Sequence, residues 1–113
     1  MKEIKAIIRP SKLLEVTEEL HEIEGLPGVT VSEIRGFGKG RAKKAKDKIV
    51  YEMVEFIPRI QLEVVVDDAM VAEVVNVIEK YAHTGNTGDG KIFVSTVDEI
   101  VKIRTNERGR DAI

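Results

Sequence analysis

Between Lys2 and Arg9 the chain alternates: Ile4, Ala6 and Ile8 fall on one side of an extended backbone, Lys5, Ile7 and Arg9 on the other, and Pro10 stops the run. This predicts a first strand. The period then lengthens. Leu13, Val16, Leu20 and Ile23 recur at three and four, predicting an amphipathic helix that Ser11 can cap and that Gly25 and Pro27 end. Residues 29–37 are rich in β-branched types, Val29, Thr30, Val31 and Ile34, and run into Gly36-Phe37-Gly38, predicting a second strand. From Lys39 to about Met53 no period survives, so a long mobile loop over about 38–55 is expected, functional or disordered at such a length.

Alternation returns at Ile60, Leu62, Val64 and Val66, with Gln61, Glu63 and Val65 between them, predicting a third strand. Asp67-Asp68 then opens a second helix with the stripe Val71, Val74, Val75, Ile78 and Tyr81, and Gly85 suits its exit. Ile92, Phe93 and Val94 predict a fourth strand. Val101 and Ile103, alternating with Lys102 and Arg104, predict a short additional one before a polar tail over about 105–113. Two successive βαβ units make an α+β, ferredoxin-like βαββαβ sandwich, an antiparallel sheet with both helices on one face. The other face carries Ile7 and Val65 and is expected to be covered by self-association.

Composition narrows the classes. At 113 residues one domain over 1–113 is expected, and a near-average apolar content with 34% charge excludes wholesale disorder, a collagen-like chain and a coiled coil. No apolar run reaches the roughly 20 residues of a membrane span, and Met1-Lys2-Glu3 leads straight into a strand, so a cytoplasmic protein without direct membrane insertion is expected. The absence of cysteine rules out disulfides and thiolate chemistry, and His21 and His83 alone are too few for a metal cage. The formal charge of −2 hides an asymmetry: six cations from Lys39 to Lys48 against Asp47 make a local +5, leaving −7 elsewhere. Such a stretch suits an anion, an acidic protein surface, or simply solvent.

The sharpest chemical signal is Thr84-Gly85-Asn86-Thr87-Gly88-Asp89-Gly90-Lys91, three glycines in six residues followed by a lysine. Glycines admit positive φ and close backbone approach, the ingredients of a phosphate cradle, although a flexible turn has the same composition. The spacing fits neither the Walker nor the dinucleotide pattern. Lys102 and Arg104, on one face of a strand by the period of two, are candidate phosphate partners or an exposed basic edge. No serine or threonine has a nearby base, and no acid–base pair stands out, so no catalytic residues are expected.

Ala6-Ile7-Ile8-Arg9-Pro10, Thr30 through Gly38, Thr84 through Val94 with its Gly-Asp-Gly-Lys-Ile-Phe-Val core, and Ile103-Arg104-Thr105 together resemble the PII family of nitrogen-regulatory signal-transduction proteins, in order over nearly the whole chain. The resemblance implies a homotrimer binding ATP or ADP, with Mg²⁺ beside ATP, in clefts between subunits, and a loop that controls a target protein, a transporter or a metabolic enzyme. Gly88, Asp89, Gly90 and Lys91 would cradle phosphates with Lys102 and Arg104. Thr30, Glu63 and Val65 would line base and ribose, and Ile7, Gly36, Gly38 and Lys39 would come from the neighbouring subunit. Where the family places arginine this chain has Lys39 and Lys102, which keep charge but lose the bidentate fork. Where the family places a metal-holding loop glutamine and an effector-binding lysine it has Gly40 and Arg59, so weak or absent 2-oxoglutarate sensing is expected. The family's uridylylated tyrosine aligns with Glu52, beside Tyr51, and its neighbourhood is replaced; uridylylation is not expected, and Tyr51 also suits a continuation of the third strand. A paralogue sensing another small anion such as bicarbonate, and serving carbon or metal transport, is the alternative. A nucleic-acid-binding module and an acylphosphatase-like hydrolase are the readings from other classes.

Overall fold

The computed structural model describes residues 1–37 and 56–113. Four strands, β1 (Lys2–Ile8), β2 (Thr30–Gly36), β3 (Ile57–Val66) and β4 (Lys91–Thr96), form one sheet in the order β2-β3-β1-β4, every neighbouring pair antiparallel. Two helices, α1 (Leu13–His21) and α2 (Val71–Ala82), cross one face. This is the ferredoxin-like βαββαβ sandwich.

The period of two decides which strand residues the helices cover. Ile4, Ala6 and Ile8 of β1 pair in register with Val64, Leu62 and Ile60 of β3, and all six are buried beneath Val16 and Leu20 of α1 and Val74, Ile78 and Ala82 of α2. Ala6, fully buried at the sheet's centre, leaves the room that the helices need. The opposite face presents Glu3, Lys5 and Ile7 beside Gln61, Glu63 and Val65, with Lys5 Nζ 5.4 Å above the half-exposed Phe93 ring.

Both helices begin differently from expectation. Pro10–Lys12 and Asp68–Met70 are 3-10 turns that run into α1 and α2, and no side chain caps either helix. Ser11 lies inside the first turn, past the capping position, and the proline ahead of it needs no donor partner. The acidic pair is spent elsewhere: Asp67 pairs with Arg110, and Asp68 accepts from the Met1 amino group at 2.8 Å. A third difference is the short strand expected at Val101–Arg104. An isolated bridge joins Val101 to Arg108 across a turn in which Asn106 adopts φ 61°. The turn's own bonds, Lys102 N to the Glu107 carbonyl and Asn106 N to the Lys102 carbonyl, satisfy the groups that a strand would need. Its Ile103 is 99% exposed. The polar tail closes with a 3-10 turn, Gly109–Ala112, whose Ala112 is buried.

Candidate functional site

β1 ends at Ile8 and α2 ends at Ala82, and the glycine-rich connection to β4 is wound between these two ends. Its conformation depends on glycine. Gly85, Gly88 and Gly90 all have positive φ, and at Gly90 a Cβ would stand 1.7 Å from the Ile7 carbonyl oxygen, so only glycine lets the loop backbone lie against β1.

Asp89 is the post around which this loop turns. Its carboxylate accepts from Thr84 N at 2.7 Å, Gly85 N at 2.8 Å, the Thr84 hydroxyl, and Arg9 Nε at 3.0 Å. The Thr84 hydroxyl first, then the two backbone N–H groups and Arg9, hold its carboxyl well below the usual carboxylate range. Asp89 therefore builds the cradle from inside. Arg9 completes the brace, its Nη2 donating to the Thr87 carbonyl at 2.7 Å. His83, just past the helix, sits with Nδ1 3.9 Å from Glu79 and 4.0 Å from Asp89.

Above the loop, on the helix-free face, lies a cleft of about 570 Å³ lined by Ile7, Gly36, Arg59, Gly88, Gly90, Lys91 and Phe93. The Arg9 and Arg59 guanidinium groups both come within 3.2 Å of where a Gly88 Cβ would be. Arg59 donates to the Pro58 carbonyl, and among the described residues no carboxylate neutralises it. Two guanidinium groups and the lysine following the glycines thus converge on a loop that a side chain would fill, an arrangement suited to a phosphate or carboxylate.

Thr30, Glu63 and Val65 lie in a second depression of about 320 Å³, shared with Glu3 and Ile100, at the other end of the same face. From Thr30 to Gly36 along β2 is six residues, or about 20 Å at ~3.3 Å per residue. The chain therefore carries two separate depressions on this face. The resemblance sets Ile7 and Gly36 on the neighbour of the subunit giving the glycine loop, whereas in this fold they share that loop's own cleft. Lys102 and Arg104 share no strand face; they stand in the turn just after Ile100, Lys102 Nζ being 3.7 Å from Glu107. Gly38, Lys39, Gly40 and Tyr51 lie outside the described residues. Arg9 is the member that pattern reading passed over, although its place on the face of Ile7 was legible from the alternation of β1.

The described residues contain no cluster of three or more His, Asp or Glu able to hold a metal ion, and no helix long and apolar enough to cross a membrane. A family model described as nitrogen regulatory protein P-II matches residues 1–107. Among similar proteins, the nitrogen regulatory protein P-II of Azospirillum brasilense is 48% identical over 113 residues, covering all of both chains. That of Rhodospirillum rubrum is likewise 48% identical and that of Haemophilus influenzae 44%, each over the full length of both.

Proposed function

The chain belongs to the nitrogen regulatory protein P-II family, and from that premise we propose that it is a signal-transduction regulator binding ATP or ADP between the subunits of a homotrimer, with a target protein reading the stretch that begins at Gly38. One observation supports this most: a cationic, glycine-built cradle at one end of the sheet face and a separate polar depression at the other, about 20 Å apart along the strands, on the face that neither helix covers.

The division of labour follows from that separation. Gly88, Gly90 and Lys91 take the phosphates with Arg9 bracing the loop, and Ile7 and Gly36 close the same cleft. Thr30, Glu63 and Val65 of the next subunit take base and ribose, with its Lys102 and Arg104 reaching the phosphates. Two observations support the fit: a side chain at position 88 would crowd the Arg9 and Arg59 guanidinium groups, and the Asp89 carboxylate is engaged inside the loop. A bound nucleotide supplies the difference in charge and length between di- and triphosphate. The loop's response requires that it contact one nucleotide and not the other, since a ligand shifts an equilibrium only through differential affinity.

Calorimetric titration with ATP and with ADP tests the reading. Saturable binding of both, in competition, is expected; no binding of either overturns it. Repeating the titration with Mg²⁺ and 2-oxoglutarate is expected to change little, because Gly40 offers no side chain to a metal. Micromolar, stoichiometric 2-oxoglutarate binding would refute that part alone. The replaced loop sequence, Gly40 together with Asp47 through Glu52, favours a second reading within the family, a regulator of carbon or metal transport. A bicarbonate effect without a 2-oxoglutarate effect would select it.

A further inference from the structure

On the helix-bearing side of the sheet, α1 and the edge strand β2 leave a groove of about 420 Å³, which borders the Thr30 depression at Pro27 and Gly28. Leu20, Ile23, Leu26 and Val31 form its floor, with Thr17 and His21 on the helix side. Val31 is 43% exposed, and Leu14, one turn before Thr17 on the same helix stripe, is 70% exposed. The groove is therefore apolar and open, as a docking surface is.

Its surroundings carry one sign of charge. From Leu13 to Ile34 the chain has six glutamates, at 15, 18, 19, 22, 24 and 33, and neither lysine nor arginine. Of these six, only Glu15 has an ion-pair partner among the described residues, Lys12. Glu33 shares the face of Val31, since both pair with the buried residues Ile60 and Leu62 of β3. Lys12 and Arg35 stand only at the margins of this acidic stretch.

The arrangement works against the helix that bears it. Glu15 and Glu19, and Glu18 and Glu22, are four residues apart, where like charges repel. Glu18 and Glu19 occupy the last turn and Glu22 the C-cap, beside the negative end of the helix dipole. A docked cation relieves both effects, whereas nucleic acid and anionic lipid surfaces are repelled.

We propose that this groove is an interaction surface for a cationic amphipathic segment of a partner protein, its apolar side chains on Leu26 and Val31 and its lysines or arginines against Glu18, Glu24 and Glu33. The surface shares no lining residue with the glycine-loop cleft and meets the Thr30 depression only at Pro27 and Gly28. Charge complementarity chooses the partner's sign, and the apolar floor requires that one of its faces be hydrophobic.

The test uses the full-length protein, labelled with ¹⁵N, and an amphipathic leucine–lysine peptide as the probe. Amide shifts are expected to concentrate at residues 14–33. A Glu18→Lys, Glu24→Lys, Glu33→Lys variant is expected to bind the peptide about tenfold more weakly while melting no lower than the parent, since repulsion has been removed. Val31→Thr, at a half-exposed position of the groove itself, is expected to weaken the peptide independently of charge. Equal binding by the charge-reversed variant overturns the proposal, as does equal binding of a lysine–serine peptide, which would reveal attraction without docking. Exclusion of the peptide by concentration-dependent assembly that the reversed variant lacks would assign the groove to a second copy, through its own Lys39–Lys48 stretch, and would likewise overturn it.

Discussion

Gly90 and Gly85 separate two reasons for the same residue. At Gly90 the missing Cβ is what lets the loop touch the Ile7 carbonyl, and φ is +96°, so Gly90→Ala is expected to cost more than about 3 kcal/mol in urea unfolding. At Gly85 φ is +88°, but a Cβ meets nothing nearer than the His83 ring at 3.7 Å, and Gly85→Ala is expected to cost only about 1 kcal/mol. Asp89 links the loop to pH. Its folded-state pKa is depressed by the Thr84 hydroxyl, the Thr84 and Gly85 N–H groups and Arg9. Its stabilisation is therefore present above the unfolded value of about 4 and is lost as pH falls below it. Asp68, bonded to the Met1 amino group, contributes in the same window. Chemical denaturation followed from pH 6 down to about 2 is expected to show a shallower acid loss in Asp89→Asn than in the parent. Arg9→Lys is expected to weaken ATP binding roughly fivefold, because an ammonium group cannot reproduce the fork that reaches both Asp89 and the Thr87 carbonyl.

At the scale of elements, β1 is central and its inward residues are almost fully buried under both helices. Ile78 of α2, at 1% exposure, packs in that core. Ile78→Ala is expected to cost about 2–5 kcal/mol without altering the glycine loop's own hydrogen bonds, so calorimetric affinity for ATP should survive at a temperature where the variant is folded. The elements themselves were legible. β1, β3 and both helices follow from a period of two or of three to four, a direct consequence of burying one face, whereas β2 and β4 were marked only by β-branched and apolar composition. What periodicity missed were the helix starts, where 3-10 turns replaced side-chain caps, and the Val101–Arg104 segment, whose alternation had no strand to pair with and became a turn.

For the whole molecule, the proposed completion of the two depressions on one face by neighbouring subunits makes nucleotide binding a property of the assembly. Subunits carrying Lys91→Ala and subunits carrying Lys102→Ala with Arg104→Ala are each expected to bind ATP poorly. Mixed by unfolding and refolding together, they are expected to recover a fraction of the sites, because some clefts then join two intact halves. Absence of recovery in calorimetric stoichiometry would show that one subunit suffices. Sedimentation of the parent is expected to give three copies, and the helix-free face with Ile7, Val65 and Phe93 supplies the surface to be covered.

The sequence by itself determined the sandwich, the inward residues of β1 and β3 and the need for glycine in the loop before β4, because burial and positive φ leave local marks in residue type and spacing. Only the tertiary structure decided what those residues do to one another. Asp89 looked like part of a ligand surface and proves to be the loop's internal post, since its four partners come from Thr84, Gly85 and Arg9, the last of them 80 positions away. Ile7 and Gly36 joined the glycine loop in one cleft, and Thr30, Glu63 and Val65 parted from it, because antiparallel pairing sends the two ends of β2 to opposite ends of the sheet. Spacing along the chain records period, whereas proximity across strands depends on register, and register exists only once the sheet has formed.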